Sequence, residues 1–124
     1  MITRLLAWIL LLLPLPVQAG QVQLLMFEET GCYWCAKWDA ELSSIYPKTP
    51  EGRTAPLVRL DLHDPVPSAL TLKTRPVYTP TFIVINDGQE IGRIEGYPGQ
   101  DFFWGLLGRI LQPLPEFQIA KEAS

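Results

Sequence analysis

The sequence is short of the residues that most binding chemistry needs. It carries two cysteines and one histidine in 124 residues, so a soft metal site would have to combine Cys32, Cys35 and His63. Its ten Lys and Arg form no stripe, and against thirteen Asp and Glu they leave a net charge of −3. That balance gives no footprint for a nucleic-acid partner. No apolar run reaches the ~20 residues that a membrane-spanning helix needs. Internal repeats and low-complexity tracts are absent too. What remains is room for one domain with one modest core.

The chain opens on a leader. Arg4 supplies a positive start, Leu5 to Leu13 an apolar centre, and Pro14 to Ala19 a breaker and small-residue end. Val17-Gln18-Ala19 fits a signal-peptidase site, so residues 1–19 read as a cleaved signal peptide and the mature chain starts near Gly20. A retained anchor is the alternative reading, against which the shortness of the run counts.

Residues 20–112 read as the folded domain. Gln21 to Phe27 is an apolar, buried strand. Glu28 to Gly31 turn the chain, Thr30 is a candidate helix cap, and a helix with Cys35, Trp38, Leu42 and Ile45 at helical spacing runs to about Tyr46, stopped by Pro47. Lys48 to Pro56 reads as a surface connection, Pro56 to Leu62 as a second strand, and Ser68 to Lys73 as a short helix after Pro65 and Pro67. Thr81 to Asn86 and Gln89 to Glu95 form a hairpin about Asp87-Gly88, with a bulge or close contact expected at Gly92. Gln100 to Leu111 is the last helix, with Phe102, Phe103, Leu106, Leu107, Ile110 and Leu111 on one stripe and Gly105 and Gly108 allowing close packing. Residues 113–124, with Pro113 and Pro115, read as a loosely ordered tail. The order β-α-β-α-β-β-α is that of an α/β domain.

The chemistry sits where the first strand meets its helix. Cys32 and Cys35 form a C-x-x-C motif there, with the first sulfur at the helix start, where unpaired N–H groups favour a thiolate. The second lies one turn on, within reach for a disulfide. A purely structural staple is the competing reading, but a loop this short removes little unfolded-state entropy.

Cys32-Tyr33-Trp34-Cys35, Thr79-Pro80 before the third strand and the Asp87-Gly88 hairpin together resemble the thioredoxin superfamily, over Gln21 to about Leu111. The resemblance implies a minimal thioredoxin-like fold, a mixed four-stranded sheet with flanking helices, lacking the family's extra N-terminal strand and helix. It implies Cys32 as nucleophile, Cys35 as resolving thiol, a redox-active Cys32–Cys35 disulfide as the only cofactor, and no metal. Pro80 matches the family's cis-proline. Thr79 would bind an extended partner segment through its backbone. Tyr33 and Trp34, in place of Gly-Pro, read either as helix-start packing or as an apolar contact for the partner. Met26 occupies the place of a buried acid that aids proton transfer; Glu28 either points the same way or is a solvated turn residue. His63 reads as a surface or capping residue rather than a ligand. Lys37 reads as solvated, or as supporting a Cys32 thiolate.

Met26 to Glu41 is similar to the small periplasmic thioredoxins of bacterial sulfur-oxidation (Sox) gene clusters. That similarity implies a monomeric periplasmic reductant of a protein disulfide or modified thiol, the Sox sulfur carrier among the candidates, fed by a membrane thiol-electron donor. Two other functions fit the same residues: a disulfide oxidant or isomerase, and a metal-binding module using the two cysteines. No ~60-residue helical insert is present, which counts against the insertion type of oxidant.

Overall fold

A computed structural model of the protein describes residues 21–124; the leader expected over residues 1–19 lies outside the described residues. The central strand β1 (Val22–Glu28) is buried on both faces from Leu24 to Phe27, which explains its unbroken apolar run. It pairs in parallel with β2 (Leu57–Asp61) and antiparallel with β3 (Thr81–Asn86), and β3 pairs with β4 (Gln89–Glu95), giving the order β2-β1-β3-β4. This is the expected mixed sheet. Asp87 and Gly88 both have positive φ, 51° and 81°, so the hairpin closes through the mirror-image turn that matches strand twist.

Gly92 meets both expectations for it. Val84 pairs with Gly92 and Ile85 with Glu90, so the ladder slips by one residue there. A Cβ on Gly92 would also stand 2.8 Å from the Ile110 side chain.

The helices depart from the expectation in four places. First, α1 (Tyr33–Trp38) is capped by Cys32, not Thr30, and gives way to a wider π-type turn over Asp39–Ser43. The Ser43 hydroxyl donates to the Asp39 carbonyl within that turn. Pro47 stops nothing; it sits inside a 3₁₀ turn, Tyr46–Lys48, where its missing N–H is harmless. Second, the surface connection carries a helix, α2 (Pro50–Thr54), capped by the Thr49 hydroxyl, which accepts from the Gly52 N–H at 3.0 Å. Third, Ser68 to Lys73 is no helix. The Thr71 N–H donates to the Gly88 carbonyl and the Glu90 N–H to the Thr71 carbonyl, so the sheet edge takes the backbone bonds a helix would have used. Fourth, the tail is ordered as α4 (Pro115–Glu122), because Phe117 has a place in the core.

The apolar stripe of α3 (Gln100–Leu111) is also narrower than expected. Phe103, Leu107 and Leu111 are buried, whereas Phe102 stays 70% exposed. One i, i+4 ridge fills the width the sheet offers. Gly105 and Gly108 face open space, so close packing is not their role.

Each face of the sheet has its own core. Leu24, Met26, Phe82 and Val84 meet Trp38, Tyr46, Phe103 and Phe117 from the helices. Leu25, Phe27, Ile83 and Ile85 are covered by Leu62, Leu70 and Leu72 of the long connection instead. That connection therefore does a helix's packing without a helix.

Candidate active site

The two cysteines close a disulfide with their Cα atoms 5.3 Å apart. Cys32 caps α1, and its Sγ accepts from the Cys35 N–H at 3.1 Å. Cys35 is only 5% exposed and joins the helix-side core, while Cys32 is partly accessible. Access thus adds to the difference in helix position that already distinguishes the two sulfurs. An open cleft of about 480 Å³ lies beside them, lined by Glu28, Glu29, Gly31, Cys32, Tyr33, Cys35, Ala36 and Asp39.

The Thr79–Pro80 peptide bond is cis, and Pro80 is buried. Register carries this pair to the disulfide end of the sheet. Phe27 stands opposite Thr81, so Pro80 falls beside the end of β1, from which the chain turns to Cys32. The Gly96 N–H donates to the Pro80 carbonyl at 2.7 Å.

Tyr33 and Trp34 do not pack into the protein. They are 69% and 49% exposed, edge-to-face at 5.0 Å, next to the cleft. Lys37 holds its Nζ 5.3 Å from the Trp34 ring. Val77 and Tyr78, just before Thr79, are exposed as well. Trp104, by contrast, is half-covered and stacks on Tyr46.

Met26 is fully buried. Arg59, its register partner on β2, brings Nη1 to 3.7 Å from the Met26 sulfur. The same guanidinium binds Glu28 at 2.6 Å and Asp39 at 2.7 Å, and lies 6.0 Å from the Trp38 ring. The Asp39 hydrogen bond, with that to Glu28, holds the Arg59 pKa above its ordinary value against the opposing effect of burial. Glu28 is therefore neither a buried acid nor a solvated turn residue; it ends β1 in an ion pair. Arg59 carries no sequence signal of this, because parallel pairing of β1 with β2 creates the contact.

Glu29 is the second residue that sequence reasoning missed. Its Oε1 accepts from the Thr79 hydroxyl at 2.9 Å, and its Oε2 lies 2.7 Å from Nε2 of His63. His63 thus faces a carboxylate at the surface. Among the described residues, no group of three Cys, His, Asp or Glu side chains has metal-binding geometry.

In structure the chain is similar to the periplasmic thioredoxin SoxS from Paracoccus pantotrophus, solved in its reduced form. The TM-score is 0.73 and the identity 50%, over 74% of this chain and 97% of that one. The chain belongs to the thioredoxin family. A second thioredoxin neighbour is thioredoxin-2, a component of malaria parasite protein secretion machinery. It is 18% identical over 74% of this chain and 85% of its own, with a TM-score of 0.51, and shows the shared fold alone. No protein-family model and no curated sequence matches the chain. As a thioredoxin with its C-x-x-C pair joined as a disulfide, the protein is a thiol–disulfide oxidoreductase acting on protein substrates.

Proposed function

We propose that this thioredoxin works in the periplasm as a reductant, and that its partner is a protein disulfide or modified thiol of the Sox sulfur-carrier kind. The unequal burial of the two sulfurs supports the mechanism, and the likeness to SoxS supports the setting. In the reduced protein the accessible Cys32 thiolate attacks a partner sulfur. A mixed disulfide forms and the first partner thiolate leaves. The Cys35 thiolate then attacks the Cys32 sulfur, which closes the Cys32–Cys35 disulfide and releases the second partner thiolate. Two electrons pass to the partner, and a membrane thiol donor restores the dithiol. The protein acts as a monomer after cleavage of its leader, with no cofactor beyond the cysteine pair. At the helix start the Cys35 N–H that meets the Cys32 sulfur favours its thiolate.

Thr79 and Pro80 would receive an extended partner segment, with Tyr33 and Trp34 as its apolar flank. A Cys35→Ala variant should accumulate a mixed disulfide through Cys32, releasable by dithiothreitol. Failure to trap any partner would overturn the exchange mechanism. Direction is read separately against glutathione: a potential near about −270 mV supports a reductant, whereas one near about −120 mV means an oxidant.

A further inference from the structure

Three stretches of chain meet at one carboxylate: the turn after β1 and the two ends of the connection from β2 to β3. Glu29 follows β1, His63 follows β2, and Thr79 precedes β3. Both Glu29 oxygens are engaged, one by the Thr79 hydroxyl at 2.9 Å and one by the His63 ring at 2.7 Å. The His63 backbone is itself fixed, its N–H donating to Asp61 Oδ1 at 2.8 Å. The Glu29 carbonyl accepts from the Cys32 N–H at 3.3 Å. A single residue therefore touches both the backbone of the nucleophile and the side chain of Thr79.

We propose that Glu29 is a positioning residue for disulfide exchange, clamping the Thr79-Pro80 ledge against the Cys32 turn so that a partner segment meets a preformed edge. The inference rests on reading Thr79 and Pro80 as partner-binding residues. The ledge needs holding. It ends a connection, residues 62–80, with no helix or strand, and Val77 and Tyr78 beside it are exposed. Two side-chain bonds fasten its last residues: Thr79 to Glu29, and the Thr81 hydroxyl to the Tyr78 carbonyl at 2.6 Å. The first has an ionised acceptor, which makes it the stronger type. His63 acts on the other oxygen and fixes the direction in which the carboxylate faces. With the clamp in place, the partner does not have to order this ledge on binding, so the clamp should appear in KM.

Insulin, with dithiothreitol as the electron source, is a suitable protein-disulfide probe. Glu29→Ala should raise KM about ten-fold, the lower range for one hydrogen bond to a charged group, while kcat falls less than two-fold. Glu29→Gln keeps an oxygen for Thr79 and should restore most of the loss. Thr79→Val should raise KM as Glu29→Ala does, and the double variant should be no worse than the poorer single one. That comparison also serves if Glu29→Ala fails to fold, since Thr79→Val against Glu29→Gln then reads the same contact. Normal wild-type turnover with a KM in Glu29→Ala within two-fold of wild type overturns this inference alone. So do fully multiplicative effects in the double variant. A wild-type protein that leaves insulin intact overturns the reductant reading, and the clamp with it.

Discussion

Among the described residues the most enclosed ion pair is Glu90 with Arg93, whose side chains are 2% and 15% exposed. Arg93 grips both carboxylate oxygens, Nε to Oε2 at 2.8 Å and Nη2 to Oε1 at 2.6 Å. The pair also fastens the long connection to β4. The Lys73 N–H donates to Glu90 at 3.0 Å, and Arg93 donates to the Thr74 carbonyl at 2.8 Å. Glu90→Ala would remove three hydrogen bonds and leave Arg93 with Thr74 and a Glu95 oxygen 3.6 Å away. Breaking a buried pair costs roughly 3–5 kcal/mol; Arg93 keeps partners and some solvent, so about 3 kcal/mol is expected. Glu90→Gln should cost about 1–2 kcal/mol, since one oxygen acceptor survives. The Arg93 hydrogen bonds, opposed by burial and reinforced by the Lys73 amide, hold the Glu90 pKa below its ordinary value. Its stabilisation is therefore present above the unfolded carboxyl pKa of about 4.3 and is lost as pH falls through the lower folded value. Urea unfolding of the oxidised protein at pH 7 and at pH 3 reads both statements. The wild-type advantage over Glu90→Gln should narrow at pH 3. A cost for Glu90→Ala under about 1 kcal/mol at pH 7, or a gap insensitive to acid, would refute the reasoning.

Three further substitutions test how the helices are seated. Gly52→Ala would drive its Cβ into the Tyr46 carbonyl oxygen; backbone cannot yield there, so the loss in urea unfolding should reach or pass the ~3 kcal/mol upper range of overpacking. Tyr46→Phe removes a 2.6 Å bond to the buried Ala55 carbonyl and should cost about 1–2 kcal/mol. Burial, with Glu51 nearby, also raises the Tyr46 pKa well above its ordinary value. Its neutral-state stabilisation is full below pH 10 and falls by about 1.4 kcal/mol per pH unit above it, a slope that short alkaline melts should find smaller in Tyr46→Phe. Phe117→Ala should cost about 3 kcal/mol and free α4, read as new proteolytic cleavage after Gln112; an uncut tail with unchanged stability would mean that α4 contributes nothing.

The parts of the fold governed by local chemistry were legible. The unbroken apolar run of β1, the Asp-Gly turn and the C-x-x-C junction each carry their own signal within a few residues. Ser68 to Lys73 has a helical pattern but no helix because its backbone bonds go to Gly88 and Glu90, partners on the distant β3–β4 hairpin. The tail follows the same logic: two prolines suggest disorder, yet Pro115 sits at the first turn of α4, where a proline is tolerated, and Phe117 reaches the core. At the site the cysteines, the Thr79-Pro80 pair and the exposed aromatics are legible, and the polar partners around them are not. Nothing near Glu29 in sequence points to Thr79 or His63, and nothing near Arg59 points to Asp39.

Topology explains why those hidden partners gather at the cysteines. Strand β1 runs parallel to one neighbour and antiparallel to the other. At its C-terminal end, β2 is also ending, since Glu28 lies beside Asp61, while β3 is beginning, since Phe27 lies opposite Thr81. Two strands therefore leave the sheet, and one enters it, at the same end. The turn after β1 carries the cysteine pair, and the connection from β2 to β3 carries His63 at its start and the Thr79-Pro80 ledge at its end. A parallel β3 would begin at the other end of the sheet and leave Cys32 without a facing ledge. The antiparallel pairing of β3 with β1 is thus what turns a reactive cysteine pair into a site with a second wall, and Glu29 stands where the turn after β1 meets both ends of the β2–β3 connection.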